Sequence, residues 1–289
     1  MSSVRIIALT SLAMLAFAGN SLLCRAALAT TTIDAASFTT VRLIAGAVTL
    51  WAIGLRLHSK RRGGENWGAA LLLFCYAASF SFAYINLSAG TGALLLFGAV
   101  QVTMIGVGLL SGERLNWQQL LGFICAFAGL SVLVTPGVEA PSFLGSVLML
   151  GAGVAWGLYS IRGHNAGNPI QKTGGNFLRA VPLALVTSLM FYRQMSLDGM
   201  GIGLAAASGG LTSGVGYAIW YTVLPALQTT SAATVQLCVP ILATFGGVVL
   251  LSEPITLRLT VSSLAVLGGI ALFILNRDRS RRSGAPTTR

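Results

Sequence analysis

The sequence predicts an all-α membrane protein whose ten transmembrane helices form two inverted five-helix repeats. Of its 289 residues, 55% are hydrophobic and only 9% are charged. A soluble domain carries roughly 25% charged residues, so this chain has too few charges to cover a water-exposed surface. Apolar segments of about 20 residues, the length at which a helix crosses a bilayer, recur along the whole chain. A β-barrel would instead show shorter segments of alternating polarity.

Ten apolar stretches are long enough, or nearly long enough, to span a membrane. They cover residues 4–25, 36–56, 67–86, 90–111, 117–134, 143–162, 176–192, 200–223, 230–251 and 258–276. Pro, Gly, Asn and charged residues, which are typical of turns, separate them. The first stretch also has features of a secretory signal peptide, since a small-residue site at 27–29 follows its apolar run. Because the run is long enough to span and the repeat described below includes it, we interpret it as a membrane helix.

The basic residues are distributed unequally between the two predicted sides of the membrane. With a cytoplasmic N-terminus, the inner regions hold Arg5, Arg56, Lys60, Arg61, Arg62, Arg114, Arg162, Lys172, Arg277, Arg279, Arg281, Arg282 and Arg289. The outer loops hold only Arg193 and Arg258. By the positive-inside rule, both termini are predicted to be cytoplasmic. The net charge of +11 then reflects topology beside anionic lipid, and no nucleic-acid partner is expected.

The two halves of the sequence match each other when one is shifted by about half the chain length. The matched pairs are Gly106 with Gly246, Glu113 with Glu253, Gly129 with Gly269 and, at a slightly smaller shift, Arg42 with Arg179. We therefore predict repeats at residues 4–135 and 142–277, followed by a basic cytoplasmic tail at 278–289. Five helices per repeat is an odd number, so the halves have opposite orientations. This symmetry is typical of transporters that alternate access around a site at the membrane midplane.

Short motifs lie in both halves of the chain, and the Leu…Glu motifs among them occupy equivalent places in the two halves. They are Gly90–Leu95 at the start of the fourth predicted span, Leu110–Glu113 and Leu250–Glu253 near the ends of the fourth and ninth spans, and Trp156-Gly157 in the sixth. With the helix count, they resemble the EamA branch of the drug/metabolite transporter superfamily over essentially the whole chain, including the YddG-type amino acid exporters. The sequence departs from the family pattern at Ala18-Gly19-Asn20, which lacks a Trp, and at Val100, which stands where Pro240 does in the second half.

The resemblance implies a multi-pass transporter of the bacterial inner membrane that moves a small organic metabolite by alternating access. Export of amino acids, aromatic or otherwise neutral, is the leading expectation. Export of drugs or other metabolites is the alternative, followed by an intramembrane enzyme or a receptor. The expected partners are a small-molecule substrate, the lipid bilayer and a second copy of the chain packed on the fifth or the tenth span.

All seven acidic residues and both histidines lie in predicted loops or at helix ends. Proton-coupled carriers commonly keep a carboxylate or histidine inside the membrane, so a side-chain proton relay is not expected. The same distribution argues against an enzyme built on Ser213, because no membrane-embedded histidine is available to activate that hydroxyl. It also argues against a metal site, which needs a cluster of such ligands. We therefore predict no catalytic residues and no cofactor.

A binding pocket for a small zwitterion should be mostly aromatic, with a few hydrogen-bonding groups. The candidate substrate-binding residues are Asn20, Tyr76, Phe80, Tyr84, Gln101, Trp156, Tyr159, Tyr217, Trp220 and Gln236. Tyr76, Phe80 and Tyr84 recur every four residues, so they share one helix face. Helix packing or an interfacial aromatic belt is the alternative role for these residues. Tyr221 lies near a predicted membrane edge and is expected in such a belt.

Three residues are candidates for gating: Arg42, Arg179 and Pro240. An arginine near a helix end can extend to the lipid interface, or it can pair with a substrate carboxylate or with an acid that closes a gate. Arg25 and Arg42 are expected near the outer surface, where Asp34 could pair with either. Pro240 removes a backbone hydrogen bond and can bend its helix.

Overall fold

The computed structural model describes residues 1–56, 67–112, 115–137, 139–163, 169–227, 232 and 235–283, without the side chains of 56, 163 and 276–283. Every regular element in this part of the chain is helical. The helices are α1 (Ser3–Thr30), α2 (Ala35–Arg56), α3 (Trp67–Tyr84), α4 (Ala89–Leu110), α5 (Trp117–Val134), α6 (Phe143–Gly163), α7 (Pro169–Met190), α8 (Gly199–Ala207), α9 (Gly216–Val223), α10 (Cys238–Leu251) and α11 (Leu257–Ser283). The all-α class is therefore confirmed for the described residues.

Eight helical stretches in the described part of the chain are long and apolar enough to cross a membrane. They are α1 to α6, the continuous stretch from Gly199 to Ala226, and α11. Helix α7 is 22 residues long but more polar, since Gln171, Lys172, Asn176 and Arg179 lie within it. Helix α10 is apolar but shorter, because it begins at Cys238. Part of the ninth predicted span, at 230–231 and 233–234, lies outside the described residues.

Side-chain caps explain where several helices begin. Ser88 accepts a hydrogen bond from the Thr91 N–H at the start of α4, and Asn116 forms a capping box with Gln119 at the start of α5. Each cap satisfies a backbone donor that has no partner inside its helix. Asp198 caps α8, and the Gly201 N–H that donates to it holds the pKa of this carboxyl below its usual range.

Asp34 also acts as a cap. Its Oδ1 accepts hydrogen bonds from the N–H groups of Ala36 and Ser37, at 3.0 and 2.9 Å, and its Oδ2 accepts one from Ser196 at 3.0 Å. The expected pairing of Asp34 with Arg25 or Arg42 is therefore wrong. The carboxylate is used to begin α2 and to tie it to the segment before α8.

A π-helical segment, Ser208–Val215, joins α8 to α9 and packs closely against α2. A Cβ atom on Gly209 would lie 2.0 Å from the carbonyl oxygen of Arg42, so only glycine permits this approach. Segments of π-helix are rare and frequently lie at functional sites. Here the close approach brings the middle of α2 beside the centre of the bundle.

Candidate functional site

A cavity of about 450 Å³ lies at the centre of the bundle. Its walls come from α1, α3, α4, α6, α7, the π-helical segment, α9 and the residues before α10. The volume is within the range of small-ligand sites, roughly 300–1,000 Å³. Most of the lining is apolar or aromatic, so the cavity suits a solute of modest size with few polar groups.

Nine of the ten candidate substrate-binding residues line this cavity. They are Asn20, Tyr76, Phe80, Gln101, Trp156, Tyr159, Tyr217, Trp220 and Gln236. The tenth, Tyr84, does not belong to the lining: it is fully buried and its hydroxyl donates to the carbonyl of Ala89 at 3.3 Å. Tyr84 shares a helix face with Tyr76, but eight residues of helix place it about 12 Å further along the axis. It therefore packs beyond the end of the cavity.

Trp156 stands at the centre of an aromatic cluster. Its ring centroid lies 4.8 Å from Tyr76, 5.3 Å from Tyr159 and 5.5 Å from Tyr217. The ring planes of Trp156 and Tyr217 differ by 18°, and those of Trp156 and Tyr159 by 29°, so these pairs are stacked. Such contacts stabilise ring positions beyond simple area burial. The cluster therefore forms an aromatic wall of the cavity.

The polar part of the cavity wall is a hydrogen-bond network around Asn20. Its Nδ2 donates to the hydroxyl of Tyr76 at 3.3 Å, and its Oδ1 accepts from the hydroxyl of Ser208 at 2.8 Å. The hydroxyl of Thr212 lies 3.4 Å from the same Oδ1. Ser208 and Thr212 belong to the π-helical segment, and sequence reasoning missed both. Their spacing of four residues on a glycine-rich stretch was the available signal.

Arg42 lies inside the protein and not at the lipid interface. The residue is 1% exposed, and its Nη2 donates to the hydroxyl of Tyr76 at 3.1 Å. Its guanidinium lies over the rings of Phe80 and Tyr76, at 4.8 and 5.3 Å from their centroids. Arg42 is therefore immediately behind two residues that line the cavity. Of the two roles expected for Arg42, extension to the lipid interface is wrong, because the residue is 1% exposed.

The other two gating candidates do not line the cavity. Arg179 is partly exposed on α7, and Pro240 is buried in α10, where its carbonyl accepts a hydrogen bond from Thr244 at 2.8 Å. Sequence reasoning missed Asn176 and Thr173 of α7, which bond to the hydroxyls of Tyr159 and Tyr221 at 3.2 and 3.3 Å. Tyr221 lines the cavity, so its expected place in an interfacial belt is wrong.

The cavity reaches the end of the molecule where α6 ends and α7 begins. Arg162 and Lys172 line it there, and Arg162 is exposed to solvent. Because both side chains are cationic, they make this mouth electropositive. No Asp or Glu belongs to the cavity lining among the described residues.

An ion pair holds together the opposite end of the bundle. Arg25 Nε lies 3.0 Å from Glu253 Oε1, and Arg25 Nη1 donates to the carbonyls of Tyr84 and Ile85, each at 3.0 Å. Glu253 Oε2 accepts a hydrogen bond at 2.8 Å from the N–H of Ala89. These bonds connect the end of α1, the turn between α3 and α4, and the end of α10. We call them the Arg25–Glu253 closure.

Comparisons with known proteins give a consistent family assignment. Residues 4–135 and 143–275 each match the model of the EamA-like transporter family. An uncharacterized protein of Pseudomonas aeruginosa is 54% identical over 286 residues, which cover 97% of this chain and 99% of that protein. A crystal structure with 18% sequence identity covers 96% of this chain and 100% of its own with a TM-score of 0.68, a likeness of fold.

Two more distant relatives have more specific names. A probable terminal-alkyne amino-acid exporter of Streptantibioticus cattleyicolor is 27% identical, over 73% of this chain and 72% of that protein. A probable amino-acid metabolite efflux pump of Escherichia coli is 23% identical, over 68% of this chain and 71% of that protein.

Proposed function

Because the chain belongs to the EamA-like transporter family, we propose that this multi-pass membrane transporter exports amino acids, aromatic or otherwise neutral. The observation that carries the proposal is the aromatic cavity of about 450 Å³, with the Asn20 network on one wall. An apolar pocket with a few directed polar groups suits a small zwitterion. Two relatives named as amino-acid exporters support the same substrate class.

We further propose ten transmembrane helices in two inverted repeats, at residues 4–135 and 142–277, with the tail at 278–289. Two matches to one family model, at 4–135 and 143–275, support this division. With both termini on the cytoplasmic side of the bacterial inner membrane, the mouth beside Arg162 and Lys172 faces the cytoplasm. The Arg25–Glu253 closure then seals the outer side, and the arrangement corresponds to an inward-open state of an alternating-access cycle.

Export then requires the closure to break while the cytoplasmic mouth seals. Pro240 is a proposed bending point of α10, since its ring removes one helical hydrogen bond. Arg42 and Arg179 remain the proposed charged gating residues. We propose that transport is either facilitated diffusion down the substrate gradient or exchange. A proton relay needs a carboxylate or histidine at mid-membrane, and the sequence predicts none there. In liposomes with a fixed amino acid gradient, strong concentrative uptake driven by a pH gradient would contradict this mechanism.

The substrate class is tested by reconstituting the purified full-length protein into liposomes loaded with a labelled amino-acid mixture. Efflux of one or more amino acids above protein-free liposomes supports the proposal. If no amino acid moves, the substrate class is wrong, and drugs or other metabolites of the same family become the leading candidates. Chemical conversion of a solute that depends on Ser213, without flux, would indicate an enzyme, and binding without flux would indicate a receptor.

Replacing Trp156 with alanine is expected to raise the KM for a transported aromatic amino acid about tenfold, which corresponds to about 1.4 kcal/mol. The reason is that Trp156 supports the stacked faces of Tyr159 and Tyr217. Trp156→Phe should keep most of the affinity, since it preserves a ring at the centre. The KM is measured by counterflow in liposomes.

The matched control is Trp117→Ala, because Trp117 is 71% exposed on α5, away from the cavity. It should leave the KM unchanged. An equal effect of both substitutions on the KM would show that the aromatic cluster does not contact substrate.

A further inference from the structure

We propose that the guanidinium of Arg42 is an anion-binding subsite of the cavity, which receives the carboxylate of the transported solute. This inference rests on the proposed amino acid substrate and adds the group that recognises its carboxylate. It follows from three observations on Arg42: its burial, its free hydrogen-bond donors and its position one hydrogen bond behind the cavity wall.

Arg42 is a buried cation whose hydrogen bonding is incomplete. Only Nη2 has a hydrogen-bond partner, the hydroxyl of Tyr76, while Nε and Nη1 are buried without one among the described residues. A buried charge is costly unless it is paired and hydrogen-bonded. The rings of Phe80 and Tyr76 compensate part of this cost through cation–π contact. Two strong donors therefore remain available for an acceptor that enters from outside the protein.

Two carboxylates toward the closed end of the bundle, Asp34 and Glu253, are engaged elsewhere. Asp34 accepts three backbone hydrogen bonds at the start of α2. Glu253 is occupied by Arg25 and by the N–H of Ala89. Neither appears among the hydrogen-bond partners of Arg42 in the described part of the chain. We therefore expect the solute to supply the acceptor for the unpaired Nε and Nη1 groups of Arg42.

A carboxylate can reach Arg42 by taking the place of the Tyr76 hydroxyl. That hydroxyl lines the cavity and accepts hydrogen bonds from both Arg42 and Asn20. If the Tyr76 side chain rotates, Nη2 of Arg42 and Nδ2 of Asn20, which donate to its hydroxyl, become accessible from the cavity. A carboxylate has two oxygens, so it can accept a bidentate bond from a guanidinium and a further bond from an amide. Arg42 and Asn20 together present this combination of donors.

The remainder of the cavity fits the rest of a zwitterion. The aromatic rings of the cavity lining can hold an ammonium group by cation–π attraction, without a buried acid. Arg162 and Lys172 at the mouth add positive charge, which disfavours solutes that carry only a cation. The charge distribution therefore selects for a carboxylate and tolerates an amine.

The subsite is tested first by binding, without transport. Thermal unfolding of the purified full-length protein is measured with phenylacetate and with its neutral amide, phenylacetamide. Phenylacetate should raise the unfolding temperature of the native protein at concentrations about tenfold lower than phenylacetamide needs. The reason is that a charge-assisted hydrogen bond contributes more binding free energy than a neutral one, by an amount that corresponds to at least about tenfold in affinity. In Arg42→Gln this preference should disappear. Arg193→Gln, which alters an exposed arginine, should keep it.

Transport supplies the second measurement. If liposomes with the native protein move phenylalanine, Arg42→Gln should reduce phenylalanine flux about tenfold or more while phenylalaninamide flux changes little. Arg42→Lys should restore part of the preference, because it keeps the charge without the bidentate geometry. An unchanged preference for carboxylate over amide in Arg42→Gln, in either measurement, would overturn the subsite.

The two proposals fail separately. Carboxylate binding that depends on Arg42, with no flux of any amino acid, would keep the subsite and remove the amino acid function. Amino acid flux with a carboxylate preference that does not depend on Arg42 would keep the amino acid function and remove the subsite. Since Arg42→Gln removes a buried charge and no described ion pair, the variant should unfold close to the native temperature, and this is checked in the same experiment.

Discussion

Replacement of Glu253 by glutamine is expected to open the closed end of the cavity and to reduce the free energy of unfolding by about 2 kcal/mol. The carboxylate pairs with Arg25 at 3.0 Å and accepts the Ala89 N–H at 2.8 Å. Both side chains are largely buried, with 21% and 11% exposure. Removing one charge therefore leaves the guanidinium of Arg25 without its counter-ion in a poorly solvated place.

Cys24 provides a native reporter of this opening. It lies four residues after Asn20 on α1, so the two share a helix face that continues the cavity wall toward Arg25. Its thiol is fully buried beside the hydroxyl of Ser81. The experiment uses a variant in which Cys75, Cys125 and Cys238 are replaced by serine, so that Cys24 is the remaining thiol. A membrane-impermeant maleimide added to spheroplasts should label Cys24 several-fold faster when Glu253→Gln is added to this variant than when Glu253 is kept. Arg25→Gln should give the same result.

Asp198→Asn is the matched control, because it changes an acid that caps α8 without any described ion pair. It should leave the labelling rate at Cys24 unchanged. A loss of thermal stability in Glu253→Gln with no change in labelling would show that the ion pair stabilises the fold but does not close the pathway.

Gly209→Ala is expected to destabilise the protein by about 3 kcal/mol, near the upper end for an overpacked interior. The new Cβ would lie 2.0 Å from the carbonyl oxygen of Arg42 and 3.0 Å from the Cβ of Ala45. Backbone atoms cannot rotate away as a side chain can, so α2 and the π-helical segment must separate. This separation would displace Arg42 from the rings of Tyr76 and Phe80, and transport should fall with stability.

Gly203→Ala is a closely matched comparison on the same stretch of helix. A Cβ at Gly203 meets no atom within 4 Å, and alanine favours helix over glycine. Thermal unfolding of the two purified variants in the same detergent should therefore show a clear decrease for Gly209→Ala and little change for Gly203→Ala. Equal unfolding temperatures would mean that the contact between α2 and the π-helical segment is looser than the geometry indicates.

Much of the cavity could be predicted because its residues are unusual for a membrane helix. Asn20, Gln101 and Gln236 are amides in apolar segments, and an unpaired amide is costly there. All three line the cavity, as do most of the chosen aromatic residues. The composition of a helix therefore indicates that a polar surface exists somewhere along it. It does not indicate where along the axis that surface ends, so the sequence predicts a cavity position for Tyr84 that the structure does not give it.

The closure and the buried arginine could not be derived in the same way. Arg25 and Glu253 are 228 positions apart, and their pairing depends on how three chain segments meet at one end of the bundle. Arg42 looked like an arginine near a helix end, because hydropathy places a residue only along the membrane normal. Whether its side chain faces lipid or protein depends on which neighbours surround α2.

By itself the sequence determined that the chain is a helical membrane protein of the EamA-like family, since low charge, long apolar segments and local motifs are properties of single segments. The tertiary structure alone decided which faces of those segments meet. It placed Arg42 behind the cavity, Ser208 and Thr212 on Asn20, and Glu253 against Arg25. The physical reason is that a helix in lipid presents apolar residues on every side, so its rotation is set by close packing with neighbours, such as the contact at Gly209.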